Sequence, residues 1–426
     1  MNRPAKTEYL RNAALFGLLI LILLGIWGVM GGAYTLRMTV EATFYTILAF
    51  GLTIQLGLVG MYNAGVMGFV AIGAVMTLLV SFPVNREFWQ SSCPEGLVRV
   101  VVTAVIGAGL VFAASRLDRF GVSRKLRNAV TLIVLAGAYM TFMHILAPVA
   151  AEIENGAGFV GGLGLPVWLG WLAGGALAGA TGWLVGRICL GLRTDYLTIA
   201  TVGIAEIIRA VVKNADWLTR GTLTVSPLPW PVPTPNDVGF VPARAGYLAL
   251  MAGLVMVIYI LLQRAYHAPW GRMMRAIRDN ETAAAAMGKN VNRRRLEIFV
   301  FGCIIMGIGG AALITFERIF DPSSFQPINH TFLVWVVVIL GGAGSNLGAV
   351  FGSFLVYIVW TMSEPAILLI FHLLERYGQS LLGLEFPDNF DTRALQMRVF
   401  VVGLVIVSVL RYAPRGLIPE SVKSVE

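Results

Sequence analysis

Residues 13–32 read AALFGLLILILLGIWGVMGG, a stretch with no charged or amide side chain. An α-helix rises about 1.5 Å per residue, so this run alone reaches about 30 Å, the thickness of a bilayer's hydrocarbon core. Arg3, Lys6 and Arg11 precede it, which is also how a signal peptide begins. The run is long for a signal peptide's apolar core and lacks an Ala-x-Ala exit, Gly31-Gly32-Ala33 being a weak one. It reads as a retained first membrane helix.

Runs of the same kind recur along the chain. The 426 residues are 57% hydrophobic and 13% charged, about half the charge a soluble domain uses to cover its surface. Apolar segments predict spans at 13–32, 40–60, 64–82, 97–115, 128–148, 165–186, 197–213, 246–263, 297–316, 331–345, 347–371 and 397–412. The expected class is all-α: a polytopic transmembrane bundle of about 10–12 spans, with both termini on one side.

A net charge of +9 would suggest nucleic acid in a soluble protein. Here it reads as topology, since Lys and Arg gather in cytoplasmic loops. Placing both ends inside puts Arg116, Arg119, Arg124, Lys125 and Arg127 there. Arg187, Arg193 and the basic residues of 264–296 (Arg264, Arg272, Arg275, Arg278, Lys289, Arg293, Arg294, Arg295) join them, with Arg411, Arg415 and Lys423 in the tail. Loop 149–164 has no basic residue and carries Glu152 and Glu154. The expected order is therefore a cytoplasmic N-terminus (1–12), a membrane domain (13–412) and a cytoplasmic tail (413–426). Pro227, Pro229, Pro231, Pro233, Pro235 and Pro242 make 214–245 an extended external loop. Cys93, Cys189 and Cys303 are too scattered for disulfides or a zinc site.

Two junctions have almost no loop. Gly60-Met-Tyr62-Asn63-Ala-Gly65 separates the second and third spans, and Gly341-Gly342-Ala-Gly344-Ser-Asn separates two late ones. Each reads as a tight turn or as a helix broken inside the membrane, which is tolerated only where backbone is buried in protein or lines a cavity. Gln55, Tyr62 and Asn63 are polar groups beside the first break, available to a solute or for backbone capping. Glu206 and Arg209 are intramembrane charges spaced i,i+3 on one helix face. They line a path or neutralise each other as a structural pair. Gly170/Gly174, Gly175/Gly179 and Gly182/Gly186 repeat at four-residue spacing, the pattern of close helix packing.

In 264–296, Asp279 or Asn280 caps a helix start, Glu281 suits its first turn, alanines 283–286 propagate it, and Gly288 stops it. The product is a two-turn, small-residue helix suited to a groove on another protein, or a plain loop helix.

That segment resembles the cytoplasmic coupling loop of ABC importer permeases, with Glu281, Ala283, Ala284 and Gly288 in the pattern. More narrowly, GRMMRAIRD (271–279) followed by AAMGKNV (285–291) is similar to the branched-chain amino acid permease family, the LivM/LivH type. LRTDYLTIATVGIAEIIR (192–209), VILGGAGSNLG (338–348) and RYAPRGL (411–417) resemble that family's runs in the same order. The resemblance implies an inner-membrane permease of a bacterium, importing a small polar solute, with branched-chain or other amino acids first in line. It implies two ABC ATPase subunits, a second and related permease, and an extracytoplasmic solute-binding protein. It also implies Asp279, Glu281, Ala283, Ala284 and Gly288 as the ATPase-coupling residues. The chain has no Gly-x4-Gly-Lys-[Ser/Thr] loop, so ATP and Mg belong to the partner. The chain departs from the family at Asn63-Ala-Gly65 and at 219–224, near the expected path, which leaves the cargo open among amino acids, urea, amides and small organic acids. The rival is an ion-coupled secondary transporter, which wants an unpaired mid-membrane carboxylate. Catalytic and metal constellations are absent from the pattern.

Overall fold

The computed structural model describes residues 3–117, 123–382 and 390–420. Arg119, Lys423 and residues 421–426 of the tail lie outside them. The helices run α1 (Arg3–Met30), α2 (Gly32–Val59), α3 (Val66–Ser81), α4 (Arg86–Gln90), α5 (Cys93–Ser115), α6 (Arg124–Gly156), α7 (Val167–Cys189), α8 (Thr194–Asn214), α9 (Asp216–Thr219), α10 (Pro235–Val238), α11 (Phe240–His267), α12 (Pro269–Asp279), α13 (Glu281–Ala286), α14 (Val291–Glu317), α15 (Leu333–Gly341), α16 (Asn346–Leu382) and α17 (Phe390–Tyr412). Among the described residues no strand forms, and only two isolated bridges occur. The all-α expectation holds.

Each of the twelve expected spans falls on a helix, but the helices are not alike. Eight are long and apolar enough to cross a membrane among the described residues. α3, at 16 residues, reaches only about 24 Å. A five-residue π turn (Ile328–Phe332) continues into α15 as a second short apolar helix. α8 is amphipathic and carries Asp195, Glu206, Arg209 and Lys213. Several boundaries differ from expectation. α2 starts at Gly32 directly after α1, with Gly31 at φ +83° as the sole break, so the loop expected at 33–39 is helical. α6 continues to Gly156, and α11 begins at Phe240 inside the proline-rich segment.

The core is α2, α3, α7 and α14, the most closely packed group. α2 is enclosed along its whole spanning length. Residues that line a membrane protein's interior need close packing more than hydrophobic contrast, so small side chains do the work. The α7 glycines divide by face. A Cβ on Gly174 would lie 2.9 Å from the Gly73 carbonyl of α3, and Cβ atoms on Gly175, Gly179 and Gly182 would strike Ile308, Ile304 and Cys303 of α14. The four-residue glycine spacing is therefore a packing code for two neighbours. By contrast α5 and α6 pack mainly on each other and face outward around most of their circumference.

The 214–245 loop is tied down. Val225 and Phe320 exchange backbone hydrogen bonds at 2.9 Å, and Trp230 Nε1 donates to the Phe316 carbonyl at 3.1 Å. At its end the Thr234 hydroxyl and amide both donate to Asp237, and these bonds hold that carboxyl below its ordinary range. Tyr9 and Asn12 near one end of the chain and Ile418–Glu420 near the other line one common cavity. Residues near the two ends therefore meet beside Tyr259, Gln263, Tyr266 and His267 of α11, just before the 264–296 segment turns into α12.

Candidate translocation site

Both glycine junctions are helix breaks packed inside the protein. α2 ends because Gly60 takes φ +69°, a left-handed cap that returns its N–H to Leu56 O at 2.9 Å. Asn63 then folds back. Its Nδ2 donates to Gln55 Oε1 at 2.9 Å, its Oδ1 accepts from Gly65 N at 2.8 Å, and its carbonyl accepts from Trp335 Nε1 at 3.1 Å. Gln55 Nε2 in turn donates to the Phe299 carbonyl of α14 at 2.9 Å. Gln55 and Asn63 are fully buried. Their donors and acceptors serve the break, and neither lines the cavity beside it. Four further groups pin the turn: Thr201 accepts from Ala64 N, Thr198 donates to the Tyr62 carbonyl, Thr331 accepts from Met67 N, and Trp335 stacks on Tyr62 at 5.6 Å. These four are invisible in a linear reading because they come from 130 or more positions away.

Removing Gln55 leaves the buried Asn63 Nδ2 without its acceptor and breaks the link from the turn to the Phe299 carbonyl of α14. Gln55→Ala should lower stability by about 1–3 kcal/mol, read as an earlier midpoint in detergent thermal unfolding. An unchanged midpoint would refute the structural role.

Tyr62 and Glu206 open onto a cavity of about 530 Å³ between α3, α8, α15 and α17. Its walls include Met67, Val202, Trp335, Val336, Ile339 and Leu340, with Thr198, Thr331 and Glu206 as its few polar groups. Glu206 is paired: Arg209 Nη1 stands 3.2 Å from its Oε2. Arg209 itself does not line the cavity. The five expected path residues thus separate into two that face a cavity (Tyr62, Glu206), two that brace the helix break (Gln55, Asn63) and one counter-ion (Arg209).

The second break is strapped from outside. Gly342 (φ +119°) and Gly344 (φ +91°) follow α15. The N–H groups of Leu417 and Ile418 donate to the carbonyls of Leu340 and Gly341 at 2.9 and 3.0 Å. No Cβ fits here, since one on Gly342 would lie 2.5 Å from the Ile418 carbonyl. The two breaks also touch: a Cβ on Gly57, at the end of α2, would lie 2.3 Å from Gly344 Cα.

The short helix appears as α13. Asn280, rather than Asp279, is its cap, accepting from Ala283 N at 3.0 Å, and Gly288 turns the chain at φ +75°. Glu281 pairs with Arg295 of α14 at 2.8 Å, and Ala284 is buried. Asp279 instead ends α12, a helix not expected from sequence, although Pro269 at its start and apolar Met274 and Ile277 on one face were available signals. Met273, Ala276, Asp279, Ala283, Ala284 and Met287 line a groove of about 480 Å³ between the two short helices. Among the described residues no His/Cys/Asp/Glu group could hold a metal ion.

The family described as branched-chain amino acid transport system / permease component matches residues 120–410. The chain is 26% identical over 251 residues to a probable branched-chain amino acid transport permease LivM of Methanocaldococcus jannaschii, covering 57% of this chain and 67% of that one. It is 28% identical over 215 residues to the high-affinity branched-chain amino acid permease LivM of Escherichia coli, covering 46% of this chain and 50% of that one. It is also 26% identical over 310 residues to the xylose transport permease XylH of E. coli, covering 67% of this chain and 68% of that one. The aligned part thus spans only half of the E. coli LivM protein, and no solved structure matches. A match that takes in more than half of the chain, from the second helix of the outward-facing hairpin to the end of the last helix, makes this protein a member of the branched-chain amino acid transport permease family.

Proposed function

We infer that this chain is one permease half of an ATP-driven importer in a bacterial inner membrane, and that its solute is an amino acid with an aliphatic side chain. It works beside a second, related permease, with two ATPase subunits at the α12–α13 face and a solute-binding protein at the opposite face. The chain binds no cofactor of its own, and ATP with Mg sits on the ATPases. What carries the reading is α13: a capped two-turn helix of small residues, set beside an apolar groove and joined to the bundle by the Glu281–Arg295 pair. Such a helix has nothing to do in a transporter that works alone.

The cavity supports the solute class. Relatives of this chain include sugar permeases, but a hydroxyl-rich solute needs many hydrogen-bonding groups to replace its water. The wall here is aliphatic and aromatic, which suits a branched aliphatic side chain. Tyr62→Ala should lower uptake about tenfold without changing how much chain reaches the membrane, and equal uptake would remove the cavity from the path.

The observation bearing on ion coupling is that Glu206 already has Arg209 as its partner. Glu206→Gln should keep ATP-driven uptake within about threefold, since a carboxylate that serves only to neutralise Arg209 takes no part in the ATP-driven step. Abolished uptake would instead mark Glu206 as a coupling carboxylate. Co-purification from the native membrane tests the whole reading. An ATPase, a second permease and a binding protein are expected to come with the chain. A chain that purifies alone and moves solute in liposomes under an ion gradient refutes it.

A further inference from the structure

We propose that Glu420, in the segment that follows the last helix, is a positioning residue that locks the coupling helices to both glycine breaks. This rests on the importer reading above.

Arg278, near the end of α12 and three positions before the start of α13, reaches in two directions. Its Nη1 donates to the Gly57 carbonyl at the end of α2, and to Glu420 Oε2 at 2.8 Å. The other oxygen of Glu420 accepts from the hydroxyl of Tyr266, at the end of α11, and lies 3.9 Å from Arg275 Nη1. Arg275 also sits over the Tyr266 ring at 4.1 Å. The Glu420 side chain is only 12% exposed, and a Cβ on Gly344 would lie 3.0 Å from its Oε2. Just upstream, Leu417 and Ile418 strap the second break through its carbonyls. One carboxylate therefore binds α11 and α12 and packs against Gly344 of the second break, and through Arg278 it reaches the first break as well.

The consequence is mechanical. A charge-assisted bond is stronger and more directional than a neutral one, so it resists displacement. Only Asn280 separates α12 from α13. When an ATPase moves α13, Arg278 moves with α12. The Gly57 carbonyl and Glu420 are then drawn together or released together, and Glu420 carries the shift to Gly344. The two breaks, already in contact at Gly57 and Gly344, change as a pair. Without Glu420, ATP hydrolysis proceeds but the breaks no longer follow it. Both sites must bias one two-state element for coupling to exist at all.

The test uses the complete complex with its ATPases and binding protein in proteoliposomes, measuring ATP hydrolysis and solute uptake in the same vesicles. Glu420→Ala should lower uptake about tenfold while hydrolysis stays within about twofold, so that more ATP is consumed per solute moved. Arg278→Ala should do the same, and the double variant Arg278→Ala/Glu420→Ala should be no worse than either single one, as members of one link behave. Glu420→Gln, which keeps the shape and loses the charge, should fall between. An unchanged ratio of hydrolysis to uptake in Glu420→Ala overturns the proposal. So do additive effects in the double variant, and so does a Glu420→Gln chain that no longer assembles with the ATPases, because the residue would then hold the fold. A wild-type complex without ATP-dependent uptake would sink the importer reading itself. Wild-type uptake with fully coupled Glu420→Ala sinks only the link.

Discussion

Gly73→Val in α3 is expected to prevent the chain from accumulating as a folded protein. The position is the tightest point of the core. A Cβ built on Gly73 lies 1.9 Å from the Gly307 carbonyl of α14, and one on Gly307 would lie 2.8 Å from the Gly174 carbonyl of α7. Three helices therefore meet almost backbone to backbone, the Ala178 methyl of α7 being the side-chain atom nearest a Cβ on Gly307, at 2.5 Å. The obstructing atoms are main-chain carbonyls, so no rotamer change relieves the clash, and the helices must separate. Overpacking of this severity costs about 3 kcal/mol or more, enough to remove most of the stability of a marginal fold. Separation also costs the close helix–helix packing that stands in for hydrophobic contrast inside a membrane. The readout is the fraction of chain that elutes as a single species after solubilisation. Gly137→Val is the control: it sits on outward-facing α6 with nothing within 4 Å of the added atom, and should leave that fraction unchanged. Normal elution of Gly73→Val would mean that the α3–α7–α14 junction is looser than described.

The second large effect is at α13. Glu281→Arg should abolish ATP-driven uptake, about tenfold or more, while leaving the chain folded and the ATPases bound. Glu281 is the first residue of a short helix, where a carboxylate is favoured by the helix's own positive end. It also accepts a hydrogen bond from Arg295 Nη1 at 3.0 Å, with its other oxygen 2.8 Å from Arg295 Nη2. Reversing its charge sets two guanidinium groups against each other at that positive end. The exposed position keeps the stability cost modest, but the link that sets α13 against α14 is lost and the groove beside it changes shape. Adding Arg295→Glu should restore part of the uptake, because the pair is remade with its signs exchanged. Normal uptake by Glu281→Arg in a correctly assembled complex would remove α13 from the coupling path.

The value of these tests depends on which features are read from local chemistry and which from assembly. Membrane spans are local: about 20 apolar residues are needed whatever the neighbours, and an unpaired backbone polar group is not tolerated in lipid. That is why 13–32, 297–316 and the other long runs could be placed without a structure. Caps are local too. Asn280, the alanines and Gly288 act within one turn of chain, and α13 follows from them. The family motifs, being short and ordered along the chain, were equally legible.

Other features required three dimensions. The sequence marked Gln55 and Asn63 as polar groups near a break, but whether they face a solute or each other depends on α14 and α15, which bring Phe299 and Trp335 to them. Glu206 and Arg209 share a face by spacing alone, yet only the placement of α3, α15 and α17 puts the carboxylate on a cavity and the guanidinium off it. Gly57 and Gly344 meet, and Glu420 reaches Arg278, across separations of well over a hundred residues that no periodicity encodes. By itself the sequence determined that the long apolar runs are helices, how α13 is capped and stopped, and which family the chain resembles, since those depend on interactions within a few turns. Only the tertiary structure decided which polar groups are sealed, which are open and which are joined, because burial and hydrogen-bond partnership belong to the assembled helices.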